Sequence, residues 1–158
     1  MERIERLLWS IALPGFGQFL NGHYLKGIIL LLLEFIINVR SNLNEAIILS
    51  FHGKIQLAID QTDYQWLMFY PCVYMFGIWD AYKGDTLESQ FTFIPFVISA
   101  FFATVGLIFS PTLQMFGVLF GPVWLTMIFC FIGLGVGWII KKVLGTRTVK
   151  EVETSRED

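Results

Sequence analysis

The stretch LPGFGQFLNGHYLKGIILLLLEF, residues 13–35, decides how this chain is organised. It runs from a Pro-Gly break through a polar, glycine-spaced segment into a continuous apolar run that contains an acid, Glu34. Such a run is typical of a membrane helix, in which a charged side chain near the bilayer centre costs about 2.5 to 3.5 kcal/mol on insertion scales. The sequence therefore predicts that Glu34 is protonated, paired or in contact with water.

The composition of the whole chain indicates that its solvent is lipid. Hydrophobic residues make up 55% of the 158 residues, charged residues only 15%, and the mean hydropathy is +0.63. A soluble domain carries more charge to cover its surface. The net charge of -2 provides no basic surface for a nucleic-acid partner. Cys72 and Cys130 fit neither a metal-binding spacing nor a disulfide framework, and we predict no cofactor.

Four apolar segments approach the roughly 20 residues that a helix needs to cross the hydrocarbon layer. We predict an all-α fold, a polytopic membrane helical bundle with four transmembrane helices plus a short N-terminal interfacial helix. The membrane-embedded domain covers residues 1–145, and residues 146–158 form a short polar cytoplasmic tail. The four spans are predicted at about residues 20–41, 64–82, 91–109 and 115–140.

The segment before the first span leaves two arrangements open. In one, an interfacial helix ends at Leu13 and a longer helix runs from about Pro14 to Asn42, because proline suits the first turn of a helix. In the other, residues 7–20 form a span of their own and the chain has five. The positive charges favour four spans, since the tail cations around Lys141 then share a side with the N-terminal arginines. We therefore expect a multi-pass protein of the cell membrane with both termini in the cytoplasm.

Proline and glycine residues inside the predicted spans affect how the helices pack. Pro71 and Pro122 fall within the second and fourth spans, where neighbouring groups must satisfy the freed carbonyls. Gly117 and Gly121, like Gly133 and Gly137, have the spacing that lets two helices approach closely. Such a contact would lie within the bundle or between copies of the chain, and a chance spacing is the alternative.

The loop between the first two spans is long enough for structure of its own. In EAIILSFHGKIQLAID, residues 45–60, Ile47 and Phe51 fall on one side of a helical wheel and Ser50 on the other. The pattern predicts a helix in the outer headgroup region, although Gly53 weakens it. The alternative is a loop without regular structure.

The candidate functional residues are the polar side chains near or inside the first two spans. His23, Glu34 and Asn38 share one sector of a helix, which makes Glu34 either a proton or cation site or a hydrogen-bonded link between helices. No second acid lies at a similar depth, which favours the link. The full set of candidates is Gln18, Asn21, His23, Lys26, Glu34, Asn38 and Asp80.

Asp80 closes the second span where His23 and Lys26 enter the first. We expect it to pair with Lys26, with His23, or with Lys83 three residues further along the helix. Such a pair would fix one helix against the other. An unpaired and exposed Asp80 is the alternative.

The motif LPGFGQFLNGHYLKG, the apolar helix after it, and a second helix ending in WDAYKG together resemble the TM2-type small bacterial membrane proteins. The resemblance covers Leu13 to Gly84 and includes a Gly-x-Gly turn, an aromatic residue followed by Leu-x-Gly, and a Trp-Asp helix end. It implies a membrane module built on a helix hairpin, without an active site. The chain departs from the pattern at His23, which directly precedes Tyr24, and in the long loop of residues 42–63.

Three functions are compatible with the sequence. We expect a non-enzymatic interaction, scaffold or regulatory module, whose partners are the lipid bilayer and another membrane protein or a second copy of the chain. The first alternative is a small transporter or channel component with a polar path around Glu34. The second is a membrane-embedded enzyme that modifies a lipid or envelope precursor near His23 and Asp80. We predict no catalytic residue and no metal site.

Overall fold

The chain is mostly helical in the computed structural model, which describes residues 3–83 and 91–157. This agrees with the predicted all-α class, except for one short β-hairpin. The elements, in chain order, are α1 Arg3–Ala12, α2 Phe16–Leu20, α3 Tyr24–Ser41, α4 Leu43–Phe51, α5 Ile55–Gln61, α6 Tyr64–Leu67, α7 Tyr70–Lys83, α8 Ile94–Phe109, β1 Gln114–Met115, β2 Val118–Leu119 and α9 Gly121–Glu157.

The N-terminal segment folds into a tight antiparallel hairpin of α1 and α2. Arg6 near the start of α1 donates a hydrogen bond to the side chain of Asn21 just after α2, so the two ends meet. The chain reverses at Gly15 (φ 104) and turns again at Gly22 (φ 79), conformations that glycine adopts without strain. The predicted continuous helix from Pro14 to Asn42 is therefore wrong. A span over residues 7–20 is excluded by the same reversal.

The two prolines do not interrupt helices. The segment predicted as the second span is divided into α6 and α7, and Pro71 is the second residue of α7. Pro122 is likewise the second residue of α9, which begins after the β-hairpin rather than at residue 115. A proline in the first turn removes an N–H group that has no intrahelical partner anyway. The prediction that Pro71 and Pro122 lie inside helical spans is therefore wrong, because both lie at helix starts.

Helices α8 and α9 pack antiparallel at close range. A Cβ atom on Gly133 would lie 2.7 Å from Ser99 Cα, and one on Gly137 would lie 2.5 Å from Pro95 Cα. At the other end of the contact, Gly106 of α8 lies against Phe129. The spacing at Gly133 and Gly137 thus brings two helices together within the bundle, whereas Gly117 lies in the turn of the β-hairpin and Gly121 begins α9.

The loop between α3 and α6 contains two helices instead of one. Gly53, at φ 72, separates α4 from α5. Ser50 is buried and its carbonyl accepts a hydrogen bond from Trp124 Nε1 at 3.2 Å. The predicted single helix, with Ser50 on its outer side, is therefore wrong.

Apolar side chains cover much of the outer surface. In the part of the chain that the structure describes, one helical segment, Gly121–Thr146 of α9, is long and apolar enough to cross a membrane, with a mean hydropathy of 2.2. Large apolar side chains on α3, α8 and α9 are between 60% and 73% exposed: Leu25, Phe35, Phe101, Phe131 and Trp138. Such extensive apolar surface is rare on a monomeric soluble protein.

Candidate functional site

Gln18 is the most deeply buried of the candidate polar residues. Its side chain, at 0% exposure, projects from α2 towards α7. Its Nε2 atom donates to the Gly77 carbonyl at 2.8 Å and to Asp80 Oδ2 at 3.2 Å. Its Oε1 atom has no hydrogen-bond partner among the described residues. The amide therefore joins the N-terminal hairpin to the second half of α7.

Asp80 is held from both sides. Lys26 Nζ lies 3.0 Å from Asp80 Oδ1, while Gln18 occupies Oδ2. The Asp80 side chain is 13% exposed and that of Lys26 is 55% exposed. The structure therefore contains the predicted Lys26 pair and excludes an unpaired Asp80.

Asn21 completes a group that we call the Asp80 cluster: Arg6, Gln18, Asn21, Lys26 and Asp80. Asn21 Nδ2 donates to the Ala81 carbonyl at 3.0 Å, and its Oδ1 accepts from Arg6. The Ala81 carbonyl lies in the last turn of α7, where carbonyls have no intrahelical donor. The Asp80 cluster thus satisfies a helix end as well as joining α1, α2, α3 and α7.

The glycines of the opening motif allow this close packing. A Cβ atom on Gly17 would overlap the Ser10 hydroxyl and lie 2.5 Å from Ala81 Cβ. Gly15 and Gly27 face each other, and a Cβ on Gly15 would lie 2.6 Å from the Gly27 carbonyl oxygen. Gly17 is therefore needed for the close contact of α2 with α1 and α7, and Gly15 for the close contact of the turn with α3.

Glu34 lies away from the Asp80 cluster, at the contact of α3 with α7. Its Oε1 atom accepts a hydrogen bond from the Tyr70 hydroxyl at 3.4 Å. Its Oε2 atom is buried and has no hydrogen-bond partner among the described residues. The carboxyl group therefore has one buried oxygen, Oε2, that could still take part in a hydrogen bond inside the bundle.

The remaining candidates occupy other places. The Asn38 side chain bonds to Asn44 of α4 through contacts of 3.0 and 3.3 Å, at the far end of α3. His23 precedes α3, and its backbone N–H donates to the Gln18 carbonyl at 2.9 Å. The structure thus brings together Gln18, Asn21, Lys26 and Asp80 but separates them from Asn38.

Sequence reasoning missed three residues that contact the candidates or complete the hairpin. In the sequence, Arg6 is only one of the N-terminal positive charges, yet its side chain donates a hydrogen bond to Asn21. Tyr70 and Tyr74 lie four residues apart on α7 and stack, with ring centroids 5.5 Å apart. The Tyr74 hydroxyl donates to the Ile11 carbonyl at 2.7 Å, near the end of α1. The i, i+4 tyrosine spacing was the available signal, because it puts both hydroxyls on one helix face.

The Asp80 cluster is suited to holding helices together. Lys26 and Gln18 bond to the Asp80 carboxylate, Gln18 and Asn21 also bond to backbone carbonyls of α7, and Arg6 bonds to the Asn21 amide oxygen. This arrangement stabilises a fixed helix geometry. Within residues 3–83 and 91–157, no group of three His, Cys, Asp or Glu side chains is arranged to bind a metal ion. Comparison with protein-family models, curated proteins and solved structures finds no match to this chain.

Proposed function

We propose that this chain is a non-enzymatic, multi-pass membrane protein that acts as an interaction or scaffold module. The observation that carries the proposal is the division between its inner and outer surfaces. The polar groups of the Asp80 cluster bond mainly to one another and to backbone, with Gln18 Oε1 and Arg6 Nε left without a partner among the described residues. The outward faces of α3, α8 and α9 instead present large apolar side chains. A protein whose polar groups bond internally and whose outer faces are apolar interacts with lipid and with other membrane proteins through those faces.

The proposed topology has four crossings with both termini in the cytoplasm. Helix α3, with 18 residues, is about 27 Å long, and α7, with 14 residues, is about 21 Å long, against a hydrocarbon thickness of about 30 Å. The short helix α6 precedes α7 and completes the second proposed crossing. In α3, Lys26 and Arg40 lie close to the ends, where long cationic side chains reach the interface. Of the charged residues of α3, only Glu34 then lies deep within the hydrocarbon layer.

The α1–α2 hairpin fits this topology as a segment that enters the membrane from the cytoplasmic side and returns. Non-helical backbone at membrane depth is tolerated where protein groups satisfy it. The hydrogen bond from Tyr74 to the Ile11 carbonyl supports this, since it satisfies a carbonyl near the turn of the hairpin. The resemblance to TM2-type proteins supports the same module, because its glycines lie at these contacts.

Site-specific photocrosslinking in membranes tests the module. A benzophenone amino acid replaces Phe35 on α3 or Phe131 on α9, and a matched control replaces the exposed, charged Lys54 on the loop side. We expect a protein adduct of defined mass from at least one apolar face and none from position 54. Lipid adducts alone at both faces, together with a strictly monomeric protein in mild detergent, would contradict the module.

The Glu34 carboxyl supports a second candidate function, a small transporter or channel component. Its buried and unpartnered Oε2 atom is the specific observation in favour, because ionisable groups inside membranes mark ion and proton paths. The test is flux of protons or monovalent cations in proteoliposomes, comparing Glu34→Gln with Glu45→Gln at an exposed position of α4. Flux that is absent, or that is equal in the two variants, eliminates this candidate.

A further inference from the structure

An apolar groove of about 580 Å³ lies between α7 and α8. Its walls include Met75, Phe76 and Trp79 from α7 and Phe93, Val97 and Ala100 from α8. These walls expose almost no polar atoms. The groove is partly open to the surface of the bundle, so a molecule outside the bundle can reach it.

The groove exists because α7 and α8 contact each other through large side chains. The single glycine of α7, Gly77, faces Pro14 and Leu30 rather than α8. On the opposite side of α8, Gly133 and Gly137 bring α9 close. Helix α8 thus packs tightly against α9, while the groove separates its opposite face from α7.

The length of the groove matches one leaflet of a bilayer. Along α8 the lining extends from Phe93 to Thr104, a rise of about 16 Å at 1.5 Å per residue. Half of a hydrocarbon core is about 15 Å thick. Because α7 ends and α8 begins on the cytoplasmic side in the proposed topology, the groove covers the inner leaflet.

The cytoplasmic end of the groove carries a cation. Lys83 Nζ lies 5.2 Å from the centroid of the Trp79 ring, which forms part of the wall. Tryptophan rings and lysine amines both favour the headgroup level of a membrane. A positive charge at this level attracts anionic lipids of the cytoplasmic leaflet.

We propose that the groove binds one acyl chain of an anionic phospholipid from the inner leaflet, with the lipid phosphate next to Lys83. The inference rests on the proposed membrane topology and is independent of whether the chain has a protein partner. The groove provides an apolar channel of one-leaflet length, and Lys83 provides the preference for a negative headgroup. Ala100, at the base of the groove, provides the space that the acyl chain occupies.

The test measures lipid retention by the full-length protein. Native mass spectrometry in detergent compares added phosphatidylglycerol with phosphatidylcholine. We expect one phosphatidylglycerol per chain, retained about fivefold better than phosphatidylcholine, and Lys83→Gln should remove that preference. Ala100→Phe fills the groove and should abolish retention, whereas Val143→Phe, on an exposed position of α9, should leave it unchanged. Ala100→Leu serves as a milder variant if Ala100→Phe does not fold.

A second measurement identifies the place of binding without any substitution. Phosphatidylglycerol with a diazirine on its acyl chain should label peptides from α7 and α8 together. Labelling spread evenly over α3 and α9, equal retention of the two lipids, or a second copy of the chain in the groove would each overturn the proposal. Failure of the membrane topology would appear separately, as a protein that is folded and monodisperse without detergent.

Discussion

At the scale of single residues, Asp80 makes two interactions of unequal strength. Its ion pair with Lys26 is partly exposed, and exposed pairs contribute about 0 to 1 kcal/mol to stability. Its contact with the buried Gln18 amide matters more, because an unsatisfied buried polar group costs about 1 to 3 kcal/mol. The two partners of Asp80 can therefore be separated by mutation.

We predict that Asp80→Ala lowers the free energy of unfolding by about 1 to 3 kcal/mol, since it leaves the Gln18 amide with one partner fewer. Lys26→Ala should cost about 1 kcal/mol or less. Thermal unfolding in a mild detergent measures both, with Glu45→Ala on the exposed side of α4 as the control. Equal losses for Asp80→Ala and Lys26→Ala would show that the buried amide contributes nothing.

Phe116 occupies an unfavourable backbone conformation at the tip of the β-hairpin. Its φ is 56 and that of Gly117 is 78, the pattern of a type I′ turn, which prefers Asn-Gly. The Phe116 side chain is 100% exposed, so it gains no packing within the described fold. We predict that Phe116→Asn raises stability by about 1 kcal/mol and that Gly117→Ala lowers it. A thermal shift of the opposite sign for Phe116→Asn would show that the phenylalanine has a stabilising contact.

At the scale of helices, the α1–α2 hairpin depends on close backbone contact. We predict that Gly17→Ala strongly destabilises the protein or prevents folding, because its Cβ would overlap the Ser10 hydroxyl and crowd Ala81. Gly135→Ala is the matched control, since a Cβ there meets nothing within 4 Å in the described part of the chain. This control should be neutral or stabilising by up to about 1 kcal/mol. Similar yields and melting temperatures for the two variants would contradict the hairpin contact.

The sequence predicted the presence of helices better than it predicted their limits. Apolar runs mark α3, α7, α8 and α9, because the length and hydropathy of such runs predict helices. The helix limits depend instead on turns at Gly15, Gly22 and Gly53. A glycine in the sequence indicates that the backbone is free to turn but not whether it turns there, and the sequence therefore predicts one helix where the chain reverses.

The candidate site was predictable only where its partners lie at the ends of neighbouring helices. Lys26 and Asp80 meet this condition, and their pairing was one of the expected alternatives. The bonds of Gln18 and Asn21 to α7 carbonyls were not predictable, because they require α2 to return alongside α7. Backbone acceptors carry no sequence signal, so such contacts appear only once the fold is known.

At the scale of the whole molecule, the apolar outer surface determines how the protein behaves. Phe35, Phe101 and Phe131, on three different helices, are each more than half exposed. In water this surface would drive aggregation, whereas in a bilayer it faces lipid at no such cost. The proposed four crossings of the membrane, with the Asp80 cluster on the cytoplasmic side, place these apolar faces against lipid.

The most direct test is the sidedness of two epitope tags in intact cells. One tag follows the C-terminal tail and the other is inserted at Gly53, where a Cβ meets nothing within 4 Å in the described part of the chain. We predict that antibody reaches the tag at Gly53 in intact cells and reaches the C-terminal tag only after permeabilisation. A C-terminal tag that is labelled in intact cells, or two tags on the same side, would contradict the four-span arrangement.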